Sequence, residues 1–577
     1  MEEFIRPIRW PSLALLVSTA TLAIACWGYD TSSAITLDSE FRPDESFVAF
    51  GFKQSPVENI PVETRSNSWC QGIAGQLSIR GESGIHGNKE ISQPQGTQTN
   101  MEFSLVVDDR QRAFDEVTSS AVEVVNVNVK RKPYDQAWTS YETSIVGQSE
   151  KLAIKNEPGK FNRYGGDGVS VGAKTGFFHV QELDGAWVIV DPDGCRFISK
   201  GVNSVKIGTA PASKTAFRKK FSNDEGKWSE RTVSDLRDAG FNTLGSWSQW
   251  WRFRNKVSRM PYTIIWNFMS SYGDKVGGLH QQPGHVGYPN DCIFVFDKAF
   301  EKHCDESAQR LHKLEDDPFL LGYFSDNEMP WKLDMLDRYL ELKDDDEGYI
   351  AATDWLKDQG VNRPQITDQI RAAFVEYAAE KYFRIVKQAI RKHDRNHMYL
   401  GCRFHGSALS LKPLFKAAEK HVDIISINWY WEWTPDAKKM DIWKQWAGRP
   451  FIISEFYAKG MDSGMGNTSG AGWVVETQRD RGYFYQNFAL GLLKHPNCVG
   501  WHWHRYMDNS AGAGQDPSNI DSNKGIVTSE YEPHKDLISE MAIMNAEVYK
   551  MRDRRFGGNA DGQSTEAKND VHPNSER

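Results

Sequence analysis

From about residue 176 onward, short and almost wholly apolar runs alternate with longer stretches whose apolar residues recur every three or four positions. Eight of the short runs read as core strands: "FISKGVNSV" (197–205), "FNTLGSW" (241–247), "YTIIWNF" (262–268), "FLLGYFSDN" (319–327), "MYLGCRF" (398–404), "DIISINWY" (423–430), "PFIISEF" (450–456) and "CVGWHWH" (498–504). A strand covered on both faces shows continuous apolar character instead of strict alternation. Helical segments lie between most of them. The clearest spans 366–393, where Ile370, Phe374, Ala378, Tyr382, Ile385 and Ala389 share one face. A last helix is predicted over about 534–551. Eight β-then-α units predict an α/β fold, a closed (β/α)8 TIM barrel over 176–556. An open doubly wound sheet is the alternative. It would more often place a Gly-rich phosphate turn after its first strand, and "KGVNSV" is not one.

The pattern upstream is different. Residues 46–155 carry runs such as "FVAFGF", "GQLSIRG", "MEFSLVVDD" and "SAVEVVNVNVK", separated by Gly, Asn, Ser and Gln turns. That spacing predicts an all-β sandwich or jelly roll. A Gly-rich connector (156–175) and a hairpin with a "DPDG" turn lead into the barrel. Residues 27–45 read as a polar linker, and 557–577 as a disordered tail without apolar periodicity. Residues 1–26 read as a signal peptide, with the apolar run 12–26 following Arg6 and Arg9 and ending in a small-residue "AIA" context. Cys26 directly after it resembles the lipid-attachment cysteine of bacterial lipoproteins. The expected location is therefore periplasmic, outer-membrane lipoprotein or extracellular, with membrane contact only through a lipid anchor at Cys26.

Composition narrows the partners. A net charge of −8 on 577 residues argues against a polyanion-binding surface, so nucleic acid is not an expected partner. The chain carries 20 Trp, 20 Tyr and 30 Phe, enough for large cores and for platforms on which the C–H faces of sugars stack. Seven cysteines are scattered without CxxC pairing, which speaks against a zinc ribbon. Cys292 and Cys304 are the closest pair for a disulfide, and buried free thiols are the equal alternative. "HWH" and "HQQPGH" lack the HExxH spacing, so no catalytic metal and no cofactor are expected.

In a barrel of this kind the active site forms at the strands' C-terminal ends. The fourth run ends in Asp326, Asn327 and Glu328, and the seventh carries Glu455. Acids on opposite sides of the mouth can face each other, which is the apparatus of glycoside hydrolysis. Capping a following helix is the competing role for any one of them. Further strand-end residues are candidate sugar contacts: Asn203, Trp247 (with Trp250 and Trp251 behind it), Arg403, His405, Asn428 and Tyr430. On the eighth run, Trp501 and Trp503 share one face, His502 and His504 the other. For each, core packing competes with substrate contact. "NWYWEW" (428–433) is aromatic enough for a sugar platform. The Gly-rich stretch 269–291 is expected to be a long loop over the cleft, bringing His280 or His285. The acidic insertion 331–365 is a possible cleft wall, its "KDDDEG" run a solvated face.

"GCRFISKGVNSV", "GYFSDNEMPW", "ISEFYAKGMDSG", "GAGWVVETQRDRGYFYQNF" and "GWHWHRYMDN" together resemble glycoside hydrolase family 50, the β-agarases, within the clan A retaining glycosidases. The resemblance covers about 176–550. It implies a carbohydrate-binding-like sandwich before the barrel, Glu328 as general acid/base, Glu455 as nucleophile and Asn327 as the ligand of the sugar 2-hydroxyl. Asp326 then orients its neighbours, and the clan's eighth-strand Trp favours Trp501 or Trp503. The implied substrate is a red-algal galactan, agarose or agar oligosaccharides. The rivals are a same-clan hydrolase of porphyran, carrageenan or another β-galactoside, and a non-catalytic carbohydrate-binding surface lipoprotein.

Overall fold

The computed structural model describes residues 121–147, 161–254, 259–282, 285–510 and 519–556, all within one compact unit, Asn100–Arg577. The expected signal peptide, linker and tail, and most of the expected sandwich, lie outside the described residues.

Each of the eight predicted core runs contains a strand. In chain order these are Ser199–Val202, Thr243–Leu244, Tyr262–Trp266, Leu320–Ser325, Met398–Tyr399, Ile425–Asn428, Phe451–Phe456 and Cys498–Trp503. They form one eight-stranded sheet in the spatial order fifth, fourth, third, second, first, eighth, seventh, sixth. Every neighbouring pair is parallel. The sheet curls until its two outer strands meet. Phe404, just past the fifth strand, bridges Ile427 of the sixth. Its N–H donates to the Ser426 carbonyl and its own carbonyl accepts from the Asn428 N–H, both at 2.8 Å. The result is a TIM-barrel-like domain. Its fourth, seventh and eighth strands are buried at every residue, which is why they read as unbroken apolar runs.

Helices cover the outside. The helix Asp368–His393 starts at Thr367, whose hydroxyl accepts from the Ile370 N–H, and ends in Arg391, Lys392 and His393, the sign that suits its C-terminal dipole. Its buried face includes Phe374, Ala378, Tyr382, Ile385 and Ala389, as the periodicity predicts. The last helix runs Lys535–Phe556.

The lower end of the barrel is plugged. Strands His179–Leu183, Ala186–Val190 and Arg196–Phe197 form a small antiparallel sheet. Asp184 and Gly185, both at positive φ (50° and 78°), make the tight turn between the first two. Ile189 and Phe197 of this sheet pack against Leu321, Ile452 and Val499, near the starts of the fourth, seventh and eighth strands. That leaves the C-terminal ends of the strands for a site.

Two readings change. Residues 121–147, expected within a β region running to 155, form strands Val122–Lys130 and Thr139–Val146 that join Trp473–Val475 and Ala458–Gly460 in one four-stranded sheet. The Ser144 N–H donates to Asn487 Oδ1 and the Val146 N–H to Gln486 Oε1, at 2.9 and 2.7 Å, fastening this hairpin to the helix Gln478–Leu493. The expected loop 269–291 is instead a helix, Phe268–Val276, followed by the hairpin His280–Gln282 and His285–Gly287. The Cys292–Cys304 alternative resolves toward thiols: Cys195, Cys292, Cys304, Cys402 and Cys498 are all free, and all but Cys195 are buried.

Candidate active site

The fourth strand ends in a backbone switchback. Asp326 and Glu328 both adopt positive φ (56° and 47°), as do Trp247 (59°) past the second strand and Arg403 (51°) past the fifth. Non-glycine residues hold such angles only where their surroundings fix them, and such positions concentrate at functional sites.

Asp326 faces away from the cleft and serves the fold. Its carboxylate accepts from the N–H groups of Met269 and Ser270, in the first turn of the helix Phe268–Val276, and from Tyr382 Oη at 2.8 Å. The helix Phe268–Val276 thus draws its cap from a residue 57 positions later in the chain.

Asn327, Glu328, Arg403, Asn428, Tyr430 and Glu455 converge. The Asn428 side-chain nitrogen donates to Glu328 Oε1 at 2.7 Å, to Glu455 Oε2 at 3.2 Å and to Asn327 Oδ1 at 3.2 Å. Arg403 uses one fork arm on Asn327 Oδ1 and the other on Glu455 Oε2, both at 2.8 Å. Tyr430 Oη donates to Glu455 Oε1. The Arg403 side chain is fully buried, and Trp247 lays its ring 4.3 Å from the guanidinium. His405 Nδ1 stands 3.9 Å from Glu328 Oε1. Burial pushes the Glu328 carboxyl above its usual range, and the neighbouring Glu455 adds to the rise against the opposing pull of His405. Burial and Glu455 likewise raise the Tyr430 phenol.

Three predicted contacts lie outside this hydrogen-bonded cluster. Asn203 is fully buried, and its amide donates to the Ser454 carbonyl at 2.8 Å, the same carbonyl that takes Arg403 Nη2. It braces the seventh strand beside Glu455. Trp501 and Trp503 are also fully buried, on the helix-facing side of the eighth strand. Trp501 Nε1 donates to Tyr485 Oη and Trp503 Nε1 to the Lys524 carbonyl, each at 2.9 Å. Trp503 packs on Phe456 and Tyr485. Strand alternation therefore gives the inner face to His502 and His504. His504 Nδ1 lies 3.5 Å from Glu455 Oε1, and its ring meets Trp247 edge-on. Burial holds His504 well below the usual histidine range. Nothing in "WHWH" distinguishes its two faces before the strand is placed. Trp250 is buried against Tyr262. His285 is half-buried and His280 exposed. Among the described residues, no set of three or more His, Cys, Asp or Glu side chains is arranged to hold a metal ion.

No family model matches the chain. It is 24% identical over 523 residues to β-agarase B of Vibrio sp. (strain JT0107), covering 71% of this chain and 52% of that protein. It is 24% identical over 527 residues to β-agarase A of the same organism, covering 71% and 51%. The chain thus spans about half the length of the curated relatives it matches. A solved structure described as BpGH50 is 29% identical, covers 74% of this chain and 95% of that one, and superposes with a TM-score of 0.65. The chain is similar to the family 50 glycoside hydrolases. A solved exo-β-agarase, at 20% identity and TM-score 0.58 over 70% of this chain and 69% of its own, has the same fold.

Proposed function

We propose that the protein is a retaining β-agarase-type hydrolase that cleaves β-1,4-galactosidic linkages in agarose or agar oligosaccharides by double displacement. One observation carries the stereochemical part. Glu328 Oε1 and Glu455 Oε2 share a single donor at 2.7 and 3.2 Å. Those two bonds end to end keep the oxygens within about 6 Å, near the ~5–5.5 Å of retaining enzymes and short of the ~6.5–9.5 Å that inversion needs.

Glu328 fits the general acid, because its raised pKa keeps a proton available for the leaving oxygen. Glu455 fits the nucleophile. Arg403, Asn428 and Tyr430 all donate to it, and a carboxylate anion is the form that accepts from all three. Attack by Glu455 on the anomeric carbon forms a glycosyl–enzyme ester as Glu328 protonates the departing oxygen. Glu328, now the base, then takes a proton from the water that releases the sugar. The side-chain oxygen of Asn327 is occupied by Arg403 and Asn428. Its N–H₂ is thereby the end able to donate to a sugar 2-hydroxyl.

The agar assignment draws on the relatives named β-agarase. A polymer of that size does not enter cells, so export, motivated by the apolar run 12–26, belongs to the same proposal. Reducing-end release from agarose tests it. The wild-type protein should generate ends and E455A, equally folded, should not. Activity of E455A at the wild-type level would overturn the assignment.

A further inference from the structure

A second pocket, of about 180 Å³, lies at the opposite end of the barrel from the catalytic cluster, where the first three strands begin. Its walls are residues 161–165, the first strand, the C-terminal end of the helix Glu225–Asp238 and the entry to the third strand. The charge on these walls is one-sided: Lys200 and Arg237 line the pocket, and no Asp or Glu does. Lys200 Nζ donates to the Asn545 carbonyl at 3.0 Å, and Arg237 Nη2 donates to the Arg259 carbonyl. Among the described residues neither cation forms a salt bridge, so the acceptors they use within the fold are carbonyls, which carry no net charge. Lys200 is fully buried, with the Phe161 and Tyr549 rings 4.9 and 5.3 Å from its ammonium. Burial pulls its pKa down to about 7 against the weak pull of Asp167, whose carboxylate is tied to Arg196 Nε at 2.7 Å. Tyr164 lines the same pocket, and its buried phenol oxygen has no hydrogen-bond partner among the described residues. Buried polar groups are nearly always paired. Two cations and an unpartnered hydroxyl around one small space share a need for an acceptor with negative charge.

We infer that this pocket binds a free tetrahedral oxyanion, phosphate or sulfate, between Lys200 and Arg237, with the Tyr164 hydroxyl as a further donor. The volume is below the ~300 Å³ at which sites for larger organic ligands begin, which favours an inorganic ion over a sugar chain. Charge-assisted hydrogen bonds to such an ion are about twice as strong as those to a neutral carbonyl. The donors come from the segment ahead of the plug, from the first strand and from the end of a helix, so the ion ties these three together. A ligand of that kind binds the folded chain only and raises its stability. The inference is independent of the hydrolase reading.

Titration calorimetry of the full chain with sodium phosphate, and separately with sodium sulfate, tests it, with ionic strength held constant by sodium chloride. One saturable site is expected in the wild-type protein. R237Q and K200M should each weaken it by about tenfold or more, the loss of one charge-assisted hydrogen bond. Arg237 is exposed, so R237Q reports even if K200M folds poorly. Thermal midpoints give a second readout. Phosphate should raise the wild-type midpoint more than that of R237Q, and the comparison cancels the general salting effect that both proteins feel. Binding of undiminished strength in R237Q, or a wild-type midpoint that phosphate moves no further than that of R237Q, would overturn the inference.

Discussion

Arg403 Nη2 lies 2.8 Å from Glu455 Oε2, with the arginine side chain fully buried. The same guanidinium reaches Asn327 and the Ser454 carbonyl, so one side chain ties the fourth and seventh strand ends together. A lysine keeps the charge but lacks the fork. R403K is therefore expected to fold and to lose about 100-fold in kcat/KM, read by steady-state kinetics. R403A strands a buried carboxylate and should cost about 3 kcal/mol in urea denaturation. A wild-type denaturation midpoint for R403A would refute the pairing.

Asp326 caps a helix, so its loss should appear in stability and not in chemistry. D326A is expected to lose about 1–3 kcal/mol, the cost of unmade bonds to the Met269 and Ser270 N–H groups. Activity per folded molecule, measured at low temperature, should fall less than about tenfold, where loss of a general acid costs 100-fold or more. A drop as deep as that of E328A would make Asp326 part of the catalytic pair.

In the proposed mechanism the proton on Glu328 sets the alkaline limb. The acid must be protonated to act, so activity falls as pH rises through its pKa. Burial places that pKa above the ordinary value of 4.5. A positive His405 favours the Glu328 anion and lowers the pKa. H405Q removes that pull, so the alkaline limb of kcat/KM against pH should move to higher pH. Movement to lower pH would contradict the assignment.

The two faces of the eighth strand should separate in mutants. W503F loses a buried hydrogen bond to the Lys524 carbonyl, so it should cost about 1–3 kcal/mol with little change in kcat/KM. H504A sits against Glu455 and Trp247, and should lower kcat/KM by 10-fold or more, on the scale of a lost active-site contact. The reverse pattern would place Trp503 in the cleft.

Much of this was legible in the chain. The eight core runs each gave a strand, because both faces of those strands are covered and leave an unbroken apolar signal. Glu328 and Glu455 stand out in the sequence because strand ends are readable from where those runs stop. Two kinds of feature were not. The helix Phe268–Val276 is completed by Asp326, and the hairpin 122–146 by partners near 458–475, so neither is encoded locally. The inward face of "WHWH" was hidden because Trp and His suit either side of a buried strand. Asn203 reads as a sugar contact from its position, and only the packing shows that its side-chain N–H₂ donates to the Ser454 carbonyl.

The pairing of Glu328 with Glu455 is tested most directly by the anomer first released from an agar oligosaccharide, followed by proton NMR before mutarotation. With the two carboxylates sharing the Asn428 amide, the account predicts the β-anomer, retained from the substrate. Initial release of the α-anomer would mean single displacement by water and would contradict it.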